Sequence, residues 1–245
     1  FNGEVLWPIW GELLGTVRSG SSGAVRAFGM PFYEYLQQQP DIGKLFDRTM
    51  ADAVRYRVEP ALASYDFSRF RKIVDIGGGN GTLMLATLER WSHLQGIVFE
   101  LPLVADRARH SIERTAYSAR CTVQPGNALE RVPEGADCYV MSNFLVSIGD
   151  EQAVVILRNC RQAMAVGATI VIIEWVMPTA EERVDPFTLW DTASMDLNML
   201  AIYGSGGWRV RTAGVFRLLL EAAGFTLSRI IPTASSVSVL ECVAA

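Results

Sequence analysis

Apolar residues recur along this chain with two different periods, and the change falls near residue 70. Before it, Ile42, Leu45, Phe46, Met50, Ala53, Val54 and Val58 follow one another at close to the helical period, forming one apolar stripe. This predicts an amphipathic helix over 41–65. Pro60 is expected to kink or divide it, because its ring removes an N–H and crowds the preceding turn. Residues 19–23, Ser-Gly-Ser-Ser-Gly, form a loop by composition. Beyond residue 70, short β-branched runs at 73–76, 96–99, 121–123, 139–142 and 169–173 alternate with helical stretches at 82–90, 104–116 and 151–164. Such alternation implies βαβ units with right-handed crossovers, hence a doubly wound parallel sheet. The tail breaks the rhythm. A short helix at 215–222 stops at Ala223, Gly224 and Phe225, and strand-like runs at 226–231 and 236–243 predict an antiparallel hairpin at the sheet edge. The expected fold is α/β: a Rossmann-like doubly wound sheet over 71–245 with a C-terminal antiparallel hairpin, preceded by a helical connector over 1–70.

Composition narrows the function classes. Of 245 residues, 50% are hydrophobic and 20% charged, a globular balance. The net charge of −4 comes without a basic stripe, which argues against nucleic acid as a partner. No apolar run approaches the roughly 18 residues that span a bilayer, so no membrane partner is expected. No secretory leader pattern precedes the helical region. The opening at Phe1 instead of Met points to an upstream segment outside this sequence. Cys121, Cys138, Cys160 and Cys242 form no C-x-x-C pair and match no zinc spacing, so no metal is expected. Scattered thiols suit a reducing cytoplasm. His93 precedes a strand and His110 lies mid-helix, both away from the strand ends where ligands bind; both read as surface or structural residues.

The strongest motif is Val74-Asp75-Ile76-Gly77-Gly78-Gly79-Asn80-Gly81-Thr82. It follows a strand and opens a helix, the context in which a glycine turn is informative. A dinucleotide fingerprint would need glycine at Thr82. With Gly77, Gly79 and Gly81 spaced G-x-G-x-G and Asp75 two residues ahead, the turn suits a nucleoside with an amino-acid tail better than a pyrophosphate. Glu100 closes the next strand, the position from which acids accept ribose hydroxyls.

These residues resemble the plant-type, S-adenosylmethionine-dependent O-methyltransferases, a family that includes caffeate and hydroxyindole methyltransferases. The parallel sheet ending in an antiparallel hairpin is similarly the architecture of class I methyltransferases. The likeness extends over 74–82, 96–102, 126–137, 150–160 and 211–225, and is finest to the bacterial branch that tailors aromatic polyketides. It implies S-adenosyl-L-methionine as cofactor, held by Asp75, Gly77 and Gly79 at its methionyl part, Glu100 and Leu101 at the ribose, Asn127 and Ala128 at the adenine, and Ser142 nearby. It implies a small aromatic substrate beside Tyr33, Asn143, Val146, Trp190 and Met199. It also implies a homodimer through the N-terminal region; a winged-helix domain usual in the family is largely missing, leaving 1–70 as a connector.

Departures from the family concentrate at the chemistry. Its Gly-Asp-Phe-Phe is Gly126-Asn127-Ala128-Leu129 here, which keeps a carbonyl acceptor and loses a charge. Its general-base His and nearby Trp are replaced by Val146 and Ile148, and Val210 stands where a His-orienting carboxylate precedes Arg211-Thr212. Glu174 matches the family's other carboxylate. Ser147 either relays a proton or caps the helix that begins near Asp150. Phe187, Trp190, Met195, Met199 and Tyr203 recur at helical spacing, as one core-facing stripe or as an acceptor wall. Gly204-Ser205-Gly206-Gly207 reads as a gate beside the pocket or as a simple turn. Proximity-driven methyl transfer to an aromatic hydroxyl is the expected function. The alternatives are hydroxylation or pericyclic chemistry on the same scaffold without methyl transfer, and a degenerate cofactor-binding module.

Overall fold

A computed structural model describes residues 2–206 and 208–245. Its centre is a run of parallel strands: β1 (Lys72–Ile76), β2 (Gln95–Glu100), β3 (Cys121–Pro125), β4 (Cys138–Ser142) and β5 (Thr169–Met177). With β6 (Arg211–Thr212), β7 (Phe225–Pro232) and β8 (Val237–Ala244), the sheet runs β3-β2-β1-β4-β5-β8-β7, and β6 pairs with β5. The C-terminal hairpin therefore adds through β8, antiparallel to β5, and leaves β7 at the edge. Central strands are buried on both faces, which is why β5 reads as a nearly continuous apolar run, interrupted by buried Glu174, instead of an alternating one.

The helices are α1 (Trp7–Gly11), α2 (Leu13–Ser19), α3 (Gly23–Phe28), α4 (Phe32–Gln38), α5 (Pro40–Ser64), α6 (Thr82–Arg90), α7 (Pro102–Ile112), α8 (Asp150–Ala163), α9 (Pro186–Tyr203) and α10 (Ala213–Ala222). Alternate β5 residues sort to opposite sides. Val171, Ile173 and Trp175 share one apolar cluster with residues of α5, α6 and α7, whereas Ile170 and Ile172 share the other with residues of α8 and α10. This is the two-sided covering that a doubly wound sheet requires.

Three expectations change. Pro60 does not divide the helix: α5 is continuous through it. Proline there removes only the bond to the carbonyl of exposed Tyr56, which water can satisfy, and the helix ends within a turn of it. The N-terminal helices do more than connect. Val5, Ile9, Ala24, Phe32 and Leu36 share a core with Ala201 and Ile202 of α9. The Gly204–Ser205 turn is pinned to the 20–22 loop, since Ser205 N–H donates to Gly20 O at 3.0 Å and a side chain at Gly204 would collide with the Gly20 carbonyl. That turn is no gate at this end; Gly207, like the side chain of Val54, lies outside the described residues. The short β6, which the β-branched pattern did not announce, places Arg211 beside β5.

All four cysteines are free and buried. Among the described residues no helix is long and apolar enough to cross a membrane.

Candidate active site at the switch point of the sheet

Strand order reverses between β1 and β4, and the crevice beyond their C-terminal ends is where ligands bind in open α/β sheets. One lip is the glycine turn after β1. Gly77, Gly79 and Gly81 all have positive φ, at 68°, 57° and 85°, a region that side chains disfavour. Gly77 is also crowded, since a Cβ there would lie 2.3 Å from the Phe144 ring. At Gly79 a Cβ would meet nothing within 4 Å, so the space beside this glycine is open.

Two carboxylates lie under the turn. Glu100 accepts the Gly79 N–H at 3.1 Å through Oε2 and the Leu101 N–H at 2.7 Å through Oε1. Burial raises its pKa, against the opposing pull of those two N–H groups and of Arg107. Asp75 is buried beneath Gly78, and its Oδ2 has no donor among the described residues. Burial first, and the nearby charge of Glu100 second, push its pKa up to about 7. Further along, Asn127 Oδ1 accepts the Leu129 N–H at 3.0 Å, so its expected acceptor oxygen already serves its own turn with one lone pair. Ala128 is buried, and its carbonyl receives Asn159 Nδ2 at 2.8 Å.

The other lip follows β4. Ser142 is half-buried, Asn143 adopts φ 50°, and a single 3-10 turn spans Leu145–Ser147. Val146 is buried in the same apolar cluster as Met199 and Trp175. Ser147 Oγ donates to Phe144 O at 2.9 Å. The capping reading of Ser147 fails: Gly149 is the N-cap of α8 and contributes no side chain, while the serine hydroxyl turns back into its own turn.

Charged groups fix this turn from beneath. Glu174 Oε2 accepts the Val146 N–H at 3.1 Å, and Oε1 accepts the Trp175 N–H at 3.3 Å. Desolvation pushes its pKa up to about 7, against those two bonds and the charges of Arg211 and Arg57. Arg211, with a fully buried side chain, donates to Leu145 O and Ile148 O at 2.5 Å each and to Asp150 Oδ1 at 2.9 Å. One guanidinium thus grips both ends of the turn.

The predicted α9 stripe splits. Met199 is buried, Met195 and Tyr203 are half-buried against the core, but Phe187 and Trp190 are exposed with rings 6.5 Å apart. Tyr33 of α4 stacks on Tyr203 at 6.2 Å, and Tyr203 stacks on Trp208 at 3.9 Å, so this aromatic group adjoins the Val146 cluster while Trp190 stands apart from it. His93 Nε2 sits within 3.0 Å of the Ser68 and Phe70 carbonyls, and His110 is exposed on α7; neither reaches the crevice.

Sequence reasoning missed the partners that hold the site. Arg57 of α5 lies 4.3 Å above the Trp175 ring, while Trp175 Nε1 donates to Asp191 Oδ2 at 3.1 Å and Ser236 Oγ donates to the same oxygen. Burial lowers the pKa of Arg57 against the charges of Asp191 and Glu174. Nothing in the spacing of these residues announces that three elements converge there. Among the described residues no cluster of three or more His, Cys, Asp or Glu could hold a metal ion.

Comparison with known proteins gives a consistent picture. The O-methyltransferase domain matches residues 10–226. The phenazine O-methyltransferase of Lysobacter antibioticus is 33% identical over 240 residues, covering 98% of this chain and 68% of its own. Aclacinomycin 10-hydroxylase of Streptomyces purpurascens is 32% identical over 216 residues, covering 88% of this chain and 56% of its own. Among solved structures, an O-methyltransferase from neocarzinostatin biosynthesis, in complex with S-adenosylmethionine and 2-hydroxy-5-methyl naphthoic acid, matches with TM-score 0.83 at 30% identity, covering 97% of this chain and 68% of that one.

Proposed function

This chain belongs to the O-methyltransferase family, and from that membership we propose that it is the S-adenosylmethionine-binding catalytic part of an enzyme that O-methylates a small aromatic, polyketide-like natural product. The observation that carries the reading is the convergence of Gly79 and Glu100: a glycine with open space where a side chain would stand, its N–H bonded to a half-buried carboxylate at the end of β2. That cradle, with the unpaired Asp75 oxygen beneath it, fits a cationic nucleoside with an amino-acid tail. Gly77, Gly79 and Asp75 would hold the tail, Glu100 and Leu101 the ribose, Asn127 and Ala128 the adenine, and Ser142 the crevice wall. When bound, the cofactor supplies an electrophilic methyl group on a sulfonium.

The chain's own residues then need only present the acceptor oxygen. A phenol of pKa about 10 is mostly protonated at neutral pH, and a general base contributes about 10²–10⁴-fold. Alignment of two bound reactants contributes about 7–11 kcal/mol, which is larger. Val146 and Met199 pack one wall for the acceptor, and the Tyr33–Tyr203–Trp208 stack supplies flat apolar area suited to fused rings. Glu174 supports the turn instead of accepting the proton, because it is buried beneath the Val146 peptide whose N–H it receives. Ser147 commits its one hydroxyl proton to Phe144 O, which leaves its oxygen free to accept a hydrogen bond from the substrate, and the substrate's proton goes to water. Exposed Trp7, Leu14 and Val17 on the N-terminal helices support a homodimer formed through that region, with 1–70 as connector and 71–245 as the catalytic unit.

The likeness to aclacinomycin 10-hydroxylase favours one second reading, in which the cofactor stays intact during a different reaction. Calorimetric titration with S-adenosylhomocysteine tests what both readings share. Saturable binding at one site per chain is expected; no binding would leave only a degenerate module.

A further inference from the structure

Asn143 combines three features that no packing role explains. Its φ of 50° makes it the one residue other than glycine with positive φ among the described residues. Asparagine is among the few residues other than glycine that take this region readily, so the φ marks a sharp turn out of β4 that sets where the side chain starts. Its Oδ1 is buried with no donor among the described residues, although buried amide oxygens are nearly always paired. Its Nδ2 finds only Ser142 Oγ at 3.5 Å, the outer limit of a hydrogen bond.

Its place is equally specific. The Asn143 N–H donates to Ile173 O at 2.9 Å, which continues the β4–β5 ladder and fixes the residue at the C-terminal end of β4. β4 and β1 are the two strands between which the order reverses, so Asn143 stands on one lip of the crevice and Gly77 on the other. The lips are in contact, because the neighbouring Phe144 ring occupies the space that a side chain at Gly77 would need. Three residues on, Val146 faces the apolar cluster assigned to the acceptor. By position, Asn143 thus stands at the strand end, next to the Phe144 contact with the glycine turn and three residues before Val146.

We propose that Asn143 Oδ1 is the hydrogen-bond acceptor that orients the hydroxyl of the aromatic substrate, a role that rests on the methyltransferase reading above. An amide oxygen accepts a hydrogen bond without removing the proton. With O–H pointed at Oδ1, an oxygen lone pair is free to face the methyl carbon. The new C–O bond forms as the C–S bond breaks with its electron pair going to sulfur, and the hydroxyl proton leaves to water. Asn143 therefore supplies the orienting part of what a base does, and the proton is lost after or during transfer.

Asn143→Gly separates this role from a structural one, because glycine suits the backbone at φ 50° better than asparagine does. Three measurements on the variant and the unmodified chain are compared: melting temperature, calorimetric affinity for S-adenosylhomocysteine, and affinity and turnover with 2-hydroxy-5-methyl naphthoic acid and related phenols. The expected result is an unchanged or higher melting temperature and unchanged S-adenosylhomocysteine affinity. Phenol affinity falls about 3- to 10-fold, the worth of one neutral hydrogen bond, and kcat falls about 10- to 100-fold from lost alignment. A lower melting temperature would make the amide structural. Weakened S-adenosylhomocysteine binding would place it on the cofactor instead, and unchanged phenol kinetics would leave it no role in the reaction. Absence of S-adenosylhomocysteine binding in the unmodified chain would overturn the underlying reading, and this one with it.

Discussion

Glu174 accepts the backbone N–H of Val146 at 3.1 Å. This carboxylate thus holds in place the peptide that carries Val146. Together with Arg211 on the carbonyls of Leu145 and Ile148, it makes the turn rigid from below while leaving the crevice side to apolar and amide groups. A site that relies on alignment needs such rigidity more than a site that relies on proton abstraction.

Replacing Arg211 tests the support. Arg211→Ala leaves the half-buried Ile148 carbonyl without its donor and Leu145 O with the Ile148 N–H alone, and should destabilise the fold by roughly 1–3 kcal/mol in urea unfolding. Arg211→Lys keeps a charge but cannot reach Leu145 O, Ile148 O and Asp150 at once, and should fall between the two.

Substitution at the glycine turn should act through contact as well as conformation. Gly77→Ala puts a methyl 2.3 Å from the Phe144 ring at a backbone φ of 68°. The conformational part alone costs roughly 1–2 kcal/mol. Thermal unfolding of Gly77→Ala with Phe144→Leu should recover part of the loss, because the smaller side chain relieves the collision but not the backbone strain.

Loss of the carboxylate after β2 should weaken the cofactor selectively. A charge-assisted hydrogen bond contributes about 1.5–3 kcal/mol, so Glu100→Ala should lower S-adenosylmethionine affinity about 10- to 100-fold. Glu100→Gln, which keeps the acceptor oxygen but not the charge, should lose less. Equal affinity in all three chains would remove Glu100 from the site.

Two buried carboxyls set a pH dependence of stability. Burial pushes Asp75 and Glu174 each up to about 7, well above the values expected of an unfolded chain. Between roughly pH 4 and pH 7 the native state then binds more protons than the unfolded state, so their contribution falls as pH rises through that window and is flat above it. Urea midpoints at pH 5 and pH 8 should differ more in the unmodified chain than in Asp75→Asn with Glu174→Gln, where the slope from these groups is gone.

Much of the architecture was legible because period and punctuation agree. The glycine turn marked the end of β1, and α6 begins at Thr82 as read, since Gly81 can take the left-handed φ that opens the helix. Pro60 leaves α5 continuous because it stands in the last turns of the helix, over the carbonyl of solvent-exposed Tyr56. The aromatic spacing at Phe187, Trp190, Met195, Met199 and Tyr203 could not tell that the first two face solvent, because periodicity gives a face and not the element that covers it. Least legible were the contacts between elements distant in sequence: Phe144 against Gly77, Arg57 over Trp175, and Arg211 beneath Leu145. No local pattern encodes those pairs; the sheet order creates them.

The most direct test of methyl transfer without a base is stoichiometric. Incubation with S-adenosylmethionine carrying a labelled methyl group, across a panel of mono- to tetracyclic phenols, is read for labelled ether and for S-adenosylhomocysteine. The account predicts one S-adenosylhomocysteine released per labelled product. Product formed while the labelled cofactor remains intact would contradict it.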